Sequence, residues 1–433
     1  MTTTTNEEDM NFAVPKRLEA FLQRLDAFIA DEIDPLQKQD DNDRFFDHRR
    51  EHARTDWDNG GLPRQEWEDL LEEACRRADK AGFLRYGWPC ELGGQGGSQL
   101  DMAIIREHLA AKGLGLFNDL QNEHSVVANN PFVQMFKAFA SEAQYKRDSE
   151  ALISGDMTVA FGLTEPDHGS DATFMETVAR PDVRNGKQGW LITGEKMWTT
   201  GMHTATHCMT FARTSGKDGD AAGITCFLVP RDTPGLRIEE YLWTFNMPTD
   251  HPRVSFTDVW VPEEAYWGEV GRGLSIAQSF VHQNRIRQAA SSLGAATYCV
   301  TESLKYAQER KPFGKPLAVN QAIQFPLVEL ATQCEMLRLL IRKTAWEMDR
   351  MEHKQIEQTL SHKVSMCNYW SNRLVCQAAD RAVQVHGGLG YSRHKPFEHI
   401  YRHHRRYRIT EGAEEIQMRK IAGVLFGFIG ARK

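Results

Sequence analysis

No two of the eight cysteines are spaced C-x-x-C, which argues against the common zinc modules and the disulfide frameworks of small secreted chains. Buried, reduced thiols are the expected state. Basic residues are not in excess: 52 Lys and Arg stand against 59 Asp and Glu, a net charge of −7. No global positive field is therefore on offer to nucleic acid or an anionic membrane. The longest apolar stretch near the end, Ile421 to Gly430, is about half the length a bilayer helix needs. Several chemical signatures are missing as well. The chain contains no G-x-G-x-x-G, no P-loop ending in G-K-[ST], no G-x-S-x-G and no H-E-x-x-H, so Rossmann, P-loop, α/β-hydrolase and zincin chemistry lose their usual support.

What is present is ordinary globular material. Apolar residues make up 41% and charged ones 26% of 433 residues, with 33 Gly and 16 Pro, which excludes collagen-like, mucin-like or wholly disordered chains. The length suggests about three domains. The opening MTTTTNEEDM fits neither a signal nor a transit peptide, and Ala431-Arg432-Lys433 is not a clear peroxisomal signal. A cytoplasmic location is expected.

Hydrophobic periodicity divides the chain into helical, β and helical thirds, which we place at 1–156, 157–270 and 271–433. Leu18, Phe21, Leu22, Leu25, Phe28, Ile29 and Ile33 recur at three- and four-residue steps between Pro15 and Pro35, predicting an amphipathic helix. Residues 40–60 carry dense mixed charge and read as a solvated loop. A second helix is expected from about Pro63 to Gly82, and others near 99–112 and 141–153. Glu91 to Ser98 is glycine-rich but reads as a flexible turn. From about 157 short β-branched and aromatic runs take over, separated by turns such as Asn185-Gly186. With no helices interposed, the sheet should be antiparallel, a barrel or sandwich. After Gly273 helical spacing returns at Ile323, Leu327, Leu330, Cys334, Leu337 and Ile341, suggesting a bundle.

Three constellations carry possible chemistry. Phe161 to Asp171 runs from a strand into a turn rich in Gly, Pro, Asp and Ser, which supplies backbone N–H groups and hydroxyls for a polar ligand edge or serves only as a turn. Trp198-Thr199-Thr200 sets hydroxyls beside an indole that either stacks on a conjugated ring or belongs to the core. Glu411-Gly412 places a carboxylate at the mouth of the last helix. There Thr410 or Glu411 either caps the helix, or Glu411, shielded from water, serves as a general base. His399 and His403 have the i, i+4 spacing of metal ligands, but Arg402, Arg405 and Arg406 repel a cation. Charged surface or an interface is the expectation there.

Taken together, Trp88-Pro89 with Gly93-Gly94, Leu163-Thr-Glu-Pro to Ser170-Asp171, Lys196-Met-Trp198, Arg310-Lys-Pro-Phe313-Gly314, Gln384-Val-His-Gly387-Gly388 and Glu411-Gly412 resemble the acyl-CoA dehydrogenase flavoprotein family, in its order and over nearly the whole chain. The resemblance implies an α+β multidomain fold: an N-terminal helical domain, a middle antiparallel β-barrel or sandwich and a C-terminal four-helix bundle, with FAD as cofactor. It implies that Phe161, Leu163, Thr164, Ser170, Trp198 and Thr200 line the flavin or adjoining substrate. Arg310, Phe313, Gln321, Gln384, Gly387 and Gly388 would hold the FAD of a neighbouring subunit, which makes a homodimer or homotetramer the expected assembly. Ala413 and Glu415 are further expected cofactor contacts, and Ser170, Arg285 and Gly412 are expected at the substrate. Glu414 and Glu415 also suit a helix's first turn by charge.

The implied reaction is α,β-dehydrogenation of an acyl-CoA to a trans-2-enoyl-CoA. Glu411 removes the α-proton, its backbone N–H and a ribityl hydroxyl bond the thioester oxygen, and the β-hydride passes to the flavin. Some relatives carry the base at the position of Asn284; an amide cannot take that role, which favours Glu411. Electron-transferring flavoprotein is the implied acceptor; no nucleic acid, metal or membrane partner is implied. The competing readings are a flavin oxidase or monooxygenase on the same fold, and a non-catalytic binding protein.

Overall fold

The computed structural model describes residues 13–47, 49–50, 52–118, 124–128 and 130–428; the terminal readings at 1–10 and 431–433 lie outside it. α1 (Lys16–Phe28) buries Leu18, Phe21 and Leu25, as the spacing predicts. The helical path does not stop at Pro35. A π turn over Ile29–Ile33 places Pro35 in the first turn of the segment Asp34–Lys38, where a missing N–H is tolerated. The charged segment 40–60 also departs from expectation: Phe45 and Arg54 are buried. Phe45 packs 5.3 Å from Trp67 and the Arg54 guanidinium lies 4.2 Å above the same indole, while Arg54 Nε donates to the Phe45 carbonyl. Charge density hid an apolar anchor and a cation–π contact.

α2 (Gln65–Lys80) buries Trp67, Leu70, Leu71, Ala74 and Ala78. α3 (Gln99–Ala110) and α5 (Glu142–Ser154) both open on capping boxes, Ser98 with Asp101 and Ser141 with Gln144, which satisfy first-turn N–H groups. The sequence did not reveal α4 (Pro131–Phe139), a short helix capped by Asn130 whose Asn-Pro start reads equally as a turn. The glycine-rich stretch is packed rather than flexible. Gly94, Gly96 and Gly97 donate their N–H groups to the carbonyls of Pro89, Trp88 and Tyr86, and a Cβ on Gly94 would lie 2.1 Å from the Trp88 carbonyl oxygen.

The middle region forms one eight-stranded sheet from β1 (Val159–Gly162), β2 (Val178–Arg184), β3 (Lys187–Lys196), β4 (His207–Arg213), β5 (Ile224–Pro230), β6 (Leu236–Tyr241), β7 (Pro252–Pro262) and β8 (Tyr266–Trp267). Its order is β8-β5-β4-β2-β3-β7-β6, with β1 added beside β4. The sheet is mixed, not purely antiparallel: β1 runs parallel to β4 from Val159↔His207 to Gly162↔Thr210, and β2 meets β4 in parallel at Val178↔Arg213. Strand composition does not encode its partner, so the expectation failed where strands distant in sequence pair.

α6 (Gly273–Glu309), α7 (Gln321–Met348) and α8 (Ser361–His386) pack on one another, and α9 (Phe397–Arg406) and α10 (Glu414–Leu425) lie against α8. The core runs through Leu293, Cys334, Leu337, Ile341, Leu374 and Ala379. α3 also packs along α6, where Gly294 permits contact: a Cβ there would lie 2.4 Å from the Glu107 carbonyl oxygen. Six of the eight cysteines are buried, while Cys75 is half-buried and Cys90 exposed; all are free. No helix among the described residues is long and apolar enough to cross a membrane.

Candidate active site

Between α9 and α10 the chain turns through Glu411 at φ +58° and Gly412 at φ +92°. Two such residues in succession need outside support. It comes from buried Arg285 on α6, whose Nε and Nη2 donate to the Glu411 carbonyl at 2.9 and 2.6 Å. Burial lowers the Arg285 guanidinium to about 10, with Glu411 opposing that shift. Asn284 Nδ2 donates to Glu411 Oε1 at 3.3 Å. On the far side of the turn, Gln417 Nε2 donates to the Gly412 carbonyl at 2.7 Å.

Glu414 anchors the turn to α8. Buried, it accepts from Arg408 Nε and Nη2 at 3.0 and 2.8 Å and from Arg373 Nε and Nη2 at 3.0 and 3.2 Å. Hydrogen bonds from Arg408, then Arg373, hold its carboxyl at about 2 against the opposing effect of burial. Glu414 does lie in the first turn of α10, and it is in addition the acceptor of a clamp made by two bidentate arginines. The N-cap of α10 is Ala413 and no side chain caps it, so neither Thr410 nor Glu411 serves as the cap. Glu411 is half-buried, whereas Glu415 is exposed.

A second group gathers on the sheet. The carboxylate of buried Glu165 accepts from Lys196 Nζ at 2.7 Å and from the N–H groups of Glu176 and Thr177 at 2.7 and 2.9 Å. Burial alone would raise this carboxyl, but Lys196 and the two N–H donors hold it below the usual range. Lys196 Nζ also reaches the Leu163 carbonyl at 3.2 Å, and Met197 N–H donates to the Thr164 carbonyl at 2.8 Å. These bonds lock the Leu163–Ser170 turn to the end of β3, beside Trp198. Trp198 has φ +60° and is 45% exposed; Thr200 and Ser170 are exposed and Thr164 is half-buried. Phe161 is half-buried, with one face of its ring stacked 4.1 Å from Phe280 of α6.

The remaining expected residues meet at one end of the bundle. The Tyr306 ring stacks 4.3 Å from His386, and the Arg310 N–H donates to the Tyr306 carbonyl. The Arg310–Phe313 loop thus lies beside Gln384, Gly387 and Gly388. Arg310, Phe313, Gln321, Gln384, Gly387 and Gly388 are all exposed, and a Cβ on either Gly387 or Gly388 would meet no atom within 4 Å.

Sequence reasoning assigned no role to Asp250 and His251, which lie beside Thr200; nothing in a Thr-Asp-His-Pro stretch marks them. The segment carrying them also touches α9, where Arg402 Nη1 donates to the Phe245 carbonyl at 2.8 Å and His403 Nδ1 lies 3.4 Å from Asn246 Nδ2. The expectation of a charged surface for the histidines is corrected accordingly, for His399, His403 and His404 are buried. His404 Nδ1 lies 3.0 Å from Ser292 Oγ and His403 Nε2 lies 3.1 Å from Tyr407 Oη, so they seat α9.

Profiles of the acyl-CoA dehydrogenase N-terminal, middle and C-terminal domains match residues 15–156, 160–259 and 271–426. The chain belongs to the acyl-CoA dehydrogenase family. It is 32% identical over 355 residues to an acyl-CoA dehydrogenase of Bacillus subtilis, covering 81% of this chain and 89% of that one. It is 30% identical over 360 residues to the caffeyl-CoA reductase-Etf complex subunit CarC of Acetobacterium woodii, covering 82% and 90%. The solved glutaryl-coenzyme A dehydrogenase glutaryl-CoA complex superposes with a TM-score of 0.75 at 26% identity, covering 98% of each chain.

This acyl-CoA dehydrogenase family member is an oxidoreductase, and FAD is the family's cofactor. The residues present fit that group. An indole 45% exposed beside an exposed hydroxyl offers a flat apolar face with a polar edge. Arg310, Gln384 and the open backbone at Gly387-Gly388 offer what an anionic, hydrogen-bonding dinucleotide tail requires.

Proposed function

We propose that the chain is an FAD-dependent acyl-CoA dehydrogenase in which Glu411 removes the α-proton of an acyl-CoA thioester and a trans-2-enoyl-CoA is formed. The observation that carries this reading is the pinned Glu411 turn. Arg285 fixes its backbone, Asn284 touches its carboxylate and Glu414 secures the following helix, an investment that no capping role explains. FAD, when bound, supplies the acceptor for the β-hydride. Glu411 holds and moves the α-proton at its carboxylate; Arg285 and Asn284 orient it. Ser170 and Gly412 would border the substrate, and Leu163, Thr164, Trp198 and Thr200 would hold the flavin, the indole offering an apolar face and the two hydroxyls hydrogen bonds. Phe161, Ala413 and Glu415 would adjoin the cofactor.

The same proposal places Arg310, Phe313, Gln321, Gln384, Gly387 and Gly388 on the FAD of a second copy. Exposed Phe325, Val328, Met336 and Leu339 on α7 support this, as they form an apolar stripe that another subunit would cover. The domain limits at 156/157 and 270/271, a cytoplasmic location and an electron-transferring flavoprotein as acceptor belong to the same reading. The name of the Acetobacterium relative supports that acceptor and also makes reduction of an enoyl-CoA the second reading.

An anaerobic bleaching screen over acyl-CoA thioesters of varied length and branching tests the proposal. The holoenzyme is expected to bleach with at least one, and Glu411→Gln to keep its FAD while bleaching about 10²- to 10⁴-fold more slowly. Wild-type bleaching rates in Glu411→Gln would place the base elsewhere. Aerobic peroxide matching substrate loss would make the protein an oxidase, and enoyl-CoA-driven reoxidation faster than bleaching would favour the reductive direction.

A further inference from the structure

Thr200, the hydroxyl proposed at the flavin edge, is contacted from behind by an imidazole. His251 Nδ1 lies 3.0 Å from Thr200 Oγ1 and 2.8 Å from Asp250 Oδ1. The two neighbours make different demands on one nitrogen. An ionised carboxylate only accepts, so beside Asp250 the nitrogen must carry hydrogen: a bare lone pair would face the carboxylate in repulsion. Asp250 is ionised, for although burial opposes its charge, His251, Arg406 and His203 hold its carboxyl below the usual range. Once Nδ1 bears the proton, that one N–H is shared between Asp250 Oδ1 and Thr200 Oγ1, and the Thr200 hydroxyl, unable to donate to a protonated nitrogen, must point its own proton away. The other acceptor near that hydroxyl, the Trp198 carbonyl, is 3.5 Å off, at the limit of useful reach, so the proton is left to turn outward.

The backbone holds this arrangement in place. Gly201 N–H donates to the Asp250 carbonyl at 2.9 Å and Thr199 N–H to the Pro252 carbonyl at 3.2 Å, tying the Trp198–Gly201 turn to the segment that carries the pair. The Trp198 indole meets the His251 ring edge-on at 6.4 Å, so the residue that presents the hydroxyl's donor also supports the flat apolar face.

We propose that Asp250 and His251 are positioning residues for the cofactor. Asp250 selects the Nδ1–H tautomer of His251, and His251 orients the Thr200 hydroxyl so that it donates to a nitrogen or carbonyl oxygen at the flavin edge. The inference rests on the reading of Thr200 as a flavin contact. Without Asp250 the imidazole is free to take the other tautomer, in which Nδ1 draws the Thr200 proton toward itself and away from the cofactor.

The test uses purified FAD-loaded protein and reads the flavin rather than turnover: visible spectrum, midpoint potential by dye equilibration, and FAD dissociation constant. Thr200→Ala, Asp250→Asn, His251→Leu and His251→Asn are compared with wild type. Asn places an amide N–H where Nδ1 stood, so His251→Asn is expected to retain wild-type flavin properties. His251→Leu and Asp250→Asn should resemble Thr200→Ala, with the potential displaced in the same direction and FAD dissociation raised about threefold to tenfold. If Asp250→Asn does not fold, the two His251 variants decide alone. A displaced potential in Thr200→Ala with wild-type values in His251→Leu overturns the relay, as does a His251→Asn variant that behaves like His251→Leu. If Thr200→Ala itself changes nothing, the flavin contact at Thr200 is wrong and the relay falls with it.

Discussion

The guanidinium of Arg285 grips the backbone carbonyl of Glu411 through two hydrogen bonds, at 2.9 Å from Nε and 2.6 Å from Nη2. The contact joins the long helix α6 to the turn that carries the proposed base. It sets where that turn sits and does not touch the carboxylate.

Arg285→Lys replaces a planar two-toothed donor with a point charge. The turn keeps a counter-charge but loses its fixed angle. The expected result is a fall in kcat of about 10- to 100-fold, since a displacement of about 1 Å costs a rate of that order. KM for acyl-CoA should change less, as measured by steady-state kinetics with a dye acceptor. Unchanged kcat would remove Arg285 from the positioning of Glu411.

Gly412→Ala asks an L-residue to adopt φ +92° with its Cβ 2.9 Å from Arg285 Nη2. Both the backbone and the guanidinium resist. A loss of about 1 to 3 kcal/mol in unfolding free energy is expected, read by denaturant titration, together with reduced flavin bleaching because Arg285 must shift. A variant as stable and as active as wild type would contradict the geometry.

The Glu414 clamp makes stability pH-dependent in one direction. Its folded carboxyl lies at about 2, below the value near 4.3 expected of an unfolded glutamate. A depressed folded value stabilises the protein above the unfolded one, and the contribution is lost as pH falls from about 4.5 toward 2. After solvent screening we expect roughly 2 kcal/mol at neutral pH. Glu414→Gln should therefore be destabilised relative to wild type at pH 7, with the gap narrowing as pH falls below about 4.5 toward 2. A gap that is constant with pH would show that the charge is not what holds α10.

Lys196→Met leaves the Glu165 carboxylate buried without its cation, a loss of about 3 to 5 kcal/mol. Because Glu165 also ties the Leu163–Ser170 turn to β3, FAD retention on gel filtration should weaken in parallel. Full FAD retention in a destabilised variant would separate the pair's structural role from the site.

Much of this molecule was legible from residue patterns. The apolar spacings at Leu18–Ile33, Trp67–Ala78 and Leu327–Ile341 marked helices because burying one face needs that period. Asn185-Gly186, both at positive φ, marked the turn between β2 and β3 because few residues tolerate that backbone. The family resemblance pointed to Glu411, Trp198 and Thr200. Pattern reading failed where an environment, not a residue, does the deciding. In the charged segment 40–60, two buried side chains outweigh many solvated ones, and at His403 burial depends on helices from elsewhere in the chain.

Sequence alone determined most of the element types, the helix at Pro131–Phe139 excepted, and the residue kinds at the site, because propensity, period and glycine placement are local properties. Tertiary structure alone decided the rest. That β1 runs parallel to β4, that Arg285 closes on the carbonyl of a residue well over a hundred positions away, and that Asp250 and His251 stand behind Thr200 all depend on distances between segments remote along the chain. Hydrogen bonds act over about 3 Å, so no spacing in the sequence can specify them until packing has brought the partners together.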